Sequence, residues 1–392
     1  MKRRHLLHTI AALPLAGGAA RLFAAPAAGS RLLLVFLRGA YDCCSLLVPT
    51  SSSFYYEARP DIAVPRNGEQ AALVLDADWG LHPVLRETLY PLYQRGELAF
   101  VAFAGTDDTS RSHFETQDRI ELGQAPGGTR DYHSGFLNRL AGVCAGAAPM
   151  AFTAQLPLSM QGRVPVANMA LDRVASAAVD PRQSRLVASM YRGSALAARV
   201  DEGFELRDRV GRELRAQMQA ASRNAISARG FGAQARRIAR LMAEHYDIGF
   251  VDIGGWDTHV GQGAAVGYLA SRLDDLARGL VAYAEELGPA WRNTTVVVIS
   301  EFGRTFRQNG NRGTDHGHGT VYWVLGGSVR GGRIVGEQVR VERATLFQDR
   351  DLPVLNEYRA VLAGLFRRQF GLSGAQLDQV FGGVAPRDLG LL

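Results

Sequence analysis

Cysteine is scarce in this chain of 392 residues, which contains only Cys43, Cys44 and Cys144. Such a small odd number does not make a disulfide framework, and no Cys-x-x-Cys spacing indicates a zinc or redox motif. A bridge between the adjacent Cys43 and Cys44 would be strained. Pairing of one of them with Cys144 is the alternative to free buried thiols, which we expect.

A membrane-spanning segment is also missing from the sequence pattern. The apolar residues 6–20 are too few and too rich in glycine to cross a bilayer. They follow the basic stretch Lys2-Arg3-Arg4, and small residues at 24–28 offer a cleavage site. This pattern predicts a signal peptide, and the paired arginines resemble the twin-arginine export signal. We therefore expect a leader at residues 1–27, the twin-arginine translocation machinery as a partner, and a periplasmic or secreted protein. A chance basic N-terminus is the alternative.

A large excess of one charge is lacking once this leader is set aside. The formal net charge is +6, but residues 1–27 carry Lys2, Arg3, Arg4 and Arg21 and no acidic residue, which leaves +2. A basic face of the kind that binds nucleic acid is therefore not indicated, and we expect no nucleic-acid partner.

Short apolar runs that alternate with helical spacing organise the remaining chain. We predict strands at 31–37, 98–103, 247–253, 296–299 and 320–325. We predict helices at 81–95, 114–122, 132–146, 265–287 and 351–366. This alternation predicts an α/β fold in which parallel strands are joined by right-handed crossovers. We expect a single domain over residues 31–392, with a helical insertion at about 172–246.

Polar residues follow the predicted strands at the points where the strands end. They are Asp42, Ser112, His113, Asp257, His259, Glu301, Asp315, His316 and His318. Ligands of open α/β sheets gather at the carboxyl edge, so these side chains are expected to lie together there. Carboxylates mixed with imidazoles suit a divalent metal ion, namely zinc, manganese or calcium. Each residue alone has a plainer interpretation, since Asp42 and Ser112 are also common helix N-cap residues.

Six motifs in this order resemble those of a known exported bacterial family, domain of unknown function 1501. They are FLRGAYD, GLHP, SHFETQD, GGWDTH, SEFGRT and GTDHGHG. That family is similar in pattern to the alkaline phosphatase and sulfatase superfamily. The resemblance implies a three-layer α/β/α sandwich with a mostly parallel central sheet, acting on a small anionic phosphate or sulfate ester.

The resemblance also implies roles for individual residues. Ser112, with Ser110 or Thr109 as substitutes, would be the nucleophile beside the catalytic His113. Asp257 and His259 would bind one metal ion, completed by His318 or His316, while Glu301 and Asp42 would share another. Zinc is the expected metal.

One departure from the superfamily pattern concerns the second metal. Phe302 stands where a histidine is usual and cannot bind a metal, so the second site loses a ligand unless His316 or His113 replaces it. Arg38 and Arg304 are candidates for holding substrate oxygens, with ordinary surface arginines as the alternative. The sequence therefore predicts an exported metal-dependent hydrolase; the alternative is a non-catalytic periplasmic binding or assembly protein with a degenerate metal site.

Overall fold

A computed structural model describes residues 29–125, 129–169 and 226–392. The predicted leader and most of the predicted insertion lie outside these ranges. Of the insertion, residues 226–246 are described and begin with a short strand that precedes a helix. The domain boundaries stay a prediction.

Thirteen strands occur in the described part of the chain. They are β1 (Arg31–Leu37), β2 (Leu47–Val48), β3 (Leu73–Val74), β4 (Gly80–Leu81), β5 (Leu98–Gly105), β6 (Pro149–Ala151), β7 (Ala167–Asn168), β8 (Ile226–Ser227), β9 (Ile248–Gly254), β10 (Thr294–Ser300), β11 (Thr320–Leu325), β12 (Arg333–Val335) and β13 (Asn356–Glu357). All five strands predicted from apolar runs are present among them. Such runs are typical of strands that are buried on both faces.

Nine α-helices are described alongside the strands. They are α1 (Cys43–Leu46), α2 (Ser53–Ala58), α3 (Leu89–Gln94), α4 (His113–Leu122), α5 (Phe136–Val143), α6 (Phe231–Glu244), α7 (Tyr268–Leu287), α8 (Tyr358–Phe370) and α9 (Gly374–Val380). Short 3-10 turns occupy Pro83–Leu85, Leu158–Met160, Gly288–Asn293 and Arg343–Thr345. The single helix predicted over 81–95 is wrong, because the chain instead forms the turn at Pro83–Leu85 and then α3. Pro91 has no N–H to donate to the carbonyl of residue 87, so it is tolerated only in the first turn of a helix, which is where it lies in α3.

The main sheet is mostly parallel, as predicted. Its strands are ordered β12-β5-β11-β10-β1-β9-β6-β7, with β13 beside β5 and β8 beside β9. The central β1 pairs in parallel with both β9 and β10, and only β11 runs antiparallel to its neighbours. A small second sheet contains β2, β4 and β3.

Alternate residues of β1 enter two separate hydrophobic cores, one on each face of the sheet. Leu33, Val35 and Leu37 join the core that includes residues of α6 and α7. Leu32, Leu34 and Phe36 join the core that includes residues of α5, α8 and α9. The result is a three-layer α/β/α arrangement, in which β1, β9 and β10 end together at one edge of the sheet.

Two further expectations, on membrane spans and on the cysteines, can be compared with the described residues. None of their helices combines the length and apolar character needed to cross a bilayer. Cys43, Cys44 and Cys144 are all free; the first two are buried and the third is half-buried.

Candidate metal centre

Three imidazoles and one carboxylate converge at the carboxyl edge of the sheet. The Nε2 atom of His316 lies 2.9 Å from Nε2 of His113 and 3.1 Å from Nε2 of His259. Oδ1 of Asp257 lies 2.8 Å from His259 Nε2 and 3.3 Å from His316 Nε2, and Oδ2 lies 3.5 Å from His113 Nε2. Donor atoms about 3 Å apart match the spacing around one ion with metal–nitrogen bonds of about 2 Å.

Each of these residues is placed by the end of a core element. His113 is the first residue of α4, which starts after the β5 loop. Asp257 and His259 follow β9, where Gly255 adopts a φ of +92° that permits a sharp turn. His316 pairs with Arg304 in a short antiparallel bridge. The centre therefore joins three segments that are distant in sequence.

The outer nitrogen of each ring faces an oxygen. Nδ1 of His113 donates to Glu301 (2.8 Å), Nδ1 of His316 to the carbonyl of Arg111 (2.9 Å), and Nδ1 of His259 to Asp315 (3.1 Å). A neutral imidazole with its proton on Nδ1 presents a lone pair at Nε2. Three such lone pairs and a carboxylate then face one another, an arrangement that a divalent cation would satisfy. Ligand histidines in metal sites are oriented by oxygen acceptors in this way.

The electrostatics of the centre also favour a positive charge. Burial opposes the charge on Asp257, but hydrogen bonds from His113, His259 and His316 and the charge of Arg304 hold its pKa well below its usual range. Burial likewise opposes protonation of His113, yet its bonds to Asp257 and Glu301 raise its pKa to about 9. Without a metal ion, a proton on His113 therefore supplies part of the missing positive charge.

Glu301, a predicted metal ligand, lies beside the centre and holds His113 instead. Its Oε1 accepts from Nδ1 of His113, from the backbone N–H of Gly39 (2.8 Å) and from Gln117 (2.9 Å). Ser300 donates to the other oxygen at 3.0 Å. The carboxylate is fully buried, and these donors overcome the effect of burial and lower its pKa. Glu301 therefore acts on the centre through His113.

Asp42, the other carboxylate predicted to bind metal, is occupied by an arginine. Arg59 donates to both of its oxygens, at 2.5 and 3.0 Å, and both side chains are buried. Gln262 (2.7 Å) and Ser45 (2.8 Å) complete its bonding. Arg59 thus neutralises the buried carboxylate of Asp42. Sequence reasoning missed Arg59, because no motif marks a loop arginine as the partner of Asp42.

His318 is not brought into the cluster either. Its ring packs on Phe347, with the centroids 4.8 Å apart. Burial, the largest effect on this imidazole, lowers its pKa. The sequence analysis named His318 or His316 as the residue that completes the site of Asp257 and His259. The structure places His316, and not His318, beside Asp257. The ligand assignments themselves stay predictions.

Ser112 and Phe302 border the centre. Ser112 is the N-cap residue of α4, and its hydroxyl makes no capping bond. It stands between Arg111, whose carbonyl holds His316, and His113. Phe302 is buried and stacks on the His113 ring at 5.0 Å, so it shapes the wall of the centre.

The two arginines considered as substrate contacts are both buried in ion pairs. Arg304 donates to Asp257 and to Thr314. Arg38 bonds Asp252 at 2.6 Å and Glu121 at 2.9 Å. Arg304 therefore fixes a carboxylate of the centre, and Arg38 belongs to the network beneath it.

The fold and this cluster define a mixed α/β protein with a histidine-rich centre at the carboxyl edge of its sheet. The chain belongs to the family described as protein of unknown function (DUF1501), whose model matches residues 29–381. No curated protein matches the chain.

Three solved structures are similar to this chain at low sequence identity. BT1596, a 2-O GAG sulfatase, has 10% identity, covers 92% of this chain and 75% of its own, and gives a TM-score of 0.39. Ps i-CgsB in complex with k-i-k-neocarrahexaose has 9% identity, 89% and 74% coverage, and a TM-score of 0.37. A protein in the alkaline phosphatase superfamily from Vibrio parahaemolyticus has 9% identity, 78% and 62% coverage, and a TM-score of 0.37.

Proposed function

We propose that this protein is a metal-dependent hydrolase of phosphate or sulfate esters that binds one divalent metal ion. The observation that carries the proposal is the convergence of three imidazole Nε2 atoms on Asp257, each ring being held from outside by an oxygen. The ligands would be His113, Asp257, His259 and His316. Three imidazoles and a carboxylate suit zinc, the metal expected from the sequence.

A metal ion in this centre would stabilise negative charge as it develops on the ester oxygens. The protein would contribute a nucleophile, Ser112, at the start of α4. Attack by its Oγ would form a bond to phosphorus or sulfur while the ester bond breaks, and water would later cleave the covalent intermediate. The positive N-terminal end of the α4 helix dipole favours an anion at this position.

The rival function is that of a non-catalytic binding or assembly protein that keeps the fold. The pairing of Asp42 with Arg59, together with Phe302 in place of a ligand, supports it, because both remove the second metal of a two-metal hydrolase. Export by the twin-arginine machinery to the periplasm or the medium is part of either proposal.

Metal analysis and a panel of esters separate the two functions. The purified protein, reloaded with zinc, manganese or calcium, would be assayed against 4-nitrophenyl phosphate and 4-nitrophenyl sulfate as well as sugar phosphates and sulfates. We expect about one metal ion per chain and turnover of at least one ester class. Asp257→Asn should lose both metal and turnover. His245→Ala, which changes an exposed histidine, should lose neither.

Two other outcomes would decide against the hydrolase. Stable metal binding without turnover of any ester favours the binding protein. A wild-type protein that takes up none of the three metals contradicts the metal centre itself.

A further inference from the structure

Asp351 is a fully buried carboxylate that binds two arginines. Its Oδ2 accepts from Nε and Nη2 of Arg111, at 3.0 and 2.7 Å, and from Nη1 of Arg350 at 3.1 Å. Its side chain is inaccessible to solvent. Its backbone forms isolated bridges with Thr305 and Phe347, which fix it to the loop that follows β10. No sequence motif marked this residue.

Both arginines also contact His316. The carbonyl of Arg111 accepts from Nδ1 of the His316 ring at 2.9 Å. Nη2 of Arg350 donates to the carbonyl of His316 at 2.8 Å. One buried carboxylate therefore binds the side chains of two arginines. The backbone carbonyl of Arg111 then binds the ring of His316, and the guanidinium of Arg350 binds the backbone of the same histidine.

Strained backbone is concentrated around this contact. Arg111, Gln348 and Asp349 all have positive φ values, of 54°, 57° and 51°. The Oε1 atom of Gln348 accepts from Nη2 of Arg111 at 2.7 Å, so the two strained segments bind each other. Left-handed conformations of non-glycine residues persist only where the surroundings enforce them, and they cluster at functional sites.

The conformation of Arg111 also sets the start of α4. Ser112 and His113 are the next two residues, so the turn at Arg111 directs both the hydroxyl of the one and the ring of the other. Ser110 stabilises the same turn, because its Oγ accepts from the backbone N–H of Ser112 at 3.3 Å.

We propose that Asp351 is a positioning residue of the metal centre, which through Arg111 and Arg350 fixes the ring of His316 and the turn that presents Ser112. The effect of Asp351 on His316 can be tested by metal binding without an activity assay. The part concerning Ser112 rests on the proposed hydrolase.

The test uses cobalt(II) as a visible probe of the ligand set in the full-length protein. Asp351→Ala removes the acceptor of both arginines, whereas Asp351→Asn keeps an oxygen that can accept their bonds without the charge. Asp388→Ala is the control, since Asp388 is also an aspartate that pairs with an arginine, Arg368, but is exposed and lies outside these segments.

We expect Asp351→Ala to lower cobalt affinity about 10- to 100-fold, the range for residues that orient metal ligands. The absorption spectrum of the bound cobalt should change, because His316 is no longer held. Asp351→Asn should recover most of the affinity, and Asp388→Ala should match the wild type in both measurements.

A folded Asp351→Ala protein with the affinity and spectrum of the wild type overturns the proposal. Should that variant fail to fold, Arg350→Ala decides, because it removes the bonds to Asp351 and to the His316 carbonyl from a side chain that is 38% exposed. Arg350→Ala should weaken cobalt binding and shift the absorption spectrum. A variant with the affinity and spectrum of the wild type refutes the positioning role of Asp351.

A wild-type protein that binds no cobalt refutes both this role and the proposed function. A spectral change in a protein without esterase activity supports the positioning role while contradicting the hydrolase.

Discussion

The Nε2 atoms of His113 and His316 lie 2.9 Å apart, while the opposite nitrogen of each ring faces an oxygen acceptor. Two neutral imidazoles in this arrangement direct lone pairs at each other, which is unfavourable unless a cation lies between them. This relationship connects the buried carboxylate Glu301 and the strained residue Arg111 to the same centre.

Glu301→Gln should weaken metal binding without displacing the centre. The amide can keep the bonds from Gly39, Gln117 and His113, but it lacks the charge that makes His113 a stronger ligand. We expect an affinity loss of about 10- to 100-fold, measured by competition with a chelator. Glu285→Gln, at an exposed helix position, is the control and should bind like the wild type. Equal affinities of the two variants would contradict the assigned role of Glu301.

The metal-free protein should lose stability as the pH rises from about 6.5 to about 9. The pKa of His113 is raised from 6.5 to about 9 in the folded protein, so its protonated form stabilises the fold. That contribution is complete below about pH 6.5 and disappears as the pH passes about 9, with a size on the order of 2 kcal/mol.

Bound metal should reverse this loss of stability. The metal ion competes with the proton for His113, so the affinity of the protein for metal rises over the same pH range. Denaturant unfolding at the two ends of the range, with and without zinc, measures both effects. In the variant His113→Gln, the free energy of unfolding of the metal-free protein should depend less on pH over this range. A metal-free wild type whose stability rises across this range would refute the prediction.

Ser112→Ala should abolish turnover while keeping the metal. A nucleophile that forms a covalent intermediate has no substitute in the variant, so kcat should fall by at least about 1000-fold. Metal content should stay at the wild-type level, because no ligand is changed. Ser110→Ala and Thr109→Ala should each stay within about tenfold of the wild-type kcat. If one of these two loses activity instead, that residue is the nucleophile.

Arg59→Met should destabilise the fold and leave the metal content unchanged. It strips the buried carboxylate Asp42 of its cationic partner, which costs about 3–5 kcal/mol. The double variant with Asp42→Asn should recover most of that loss, since no uncompensated charge remains. Denaturant unfolding and metal analysis check the two statements. Two metal ions per wild-type chain would contradict the view that Asp42, held by Arg59, binds none.

The central sheet was predictable because its strands are continuous apolar runs, such as Val296 to Ile299 within β10. Such runs identify strands that are buried on both faces without any tertiary information. The helix boundaries were less accurate. In the segment 81–95, Pro83 begins a short 3-10 turn and Pro91 lies in the first turn of α3, and helical spacing does not show these restrictions on where a helix can start.

The candidate centre was predictable in part. Residue type and position after a strand pointed to Asp257, His259 and His316, which the structure brings together. The same evidence pointed equally to His318 and Asp42. Their surroundings are decided by Phe347 and Arg59, which lie in loops without a recognisable pattern. Asp351 escaped prediction for the same reason, because its partners depend on how two loops meet.

The three histidines of the centre come from segments far apart in the chain, with 203 residues separating His113 from His316 and 57 separating His259 from His316. An ion bound to all three would close these loops covalently, much as a disulfide would, in a chain whose three cysteines are free. Unlike a disulfide, this cross-link would form under reducing conditions and would be removed by a chelator. The metal content of a preparation would then measure the fraction of chains in which the loops after β5, β9 and β10 have reached their native positions.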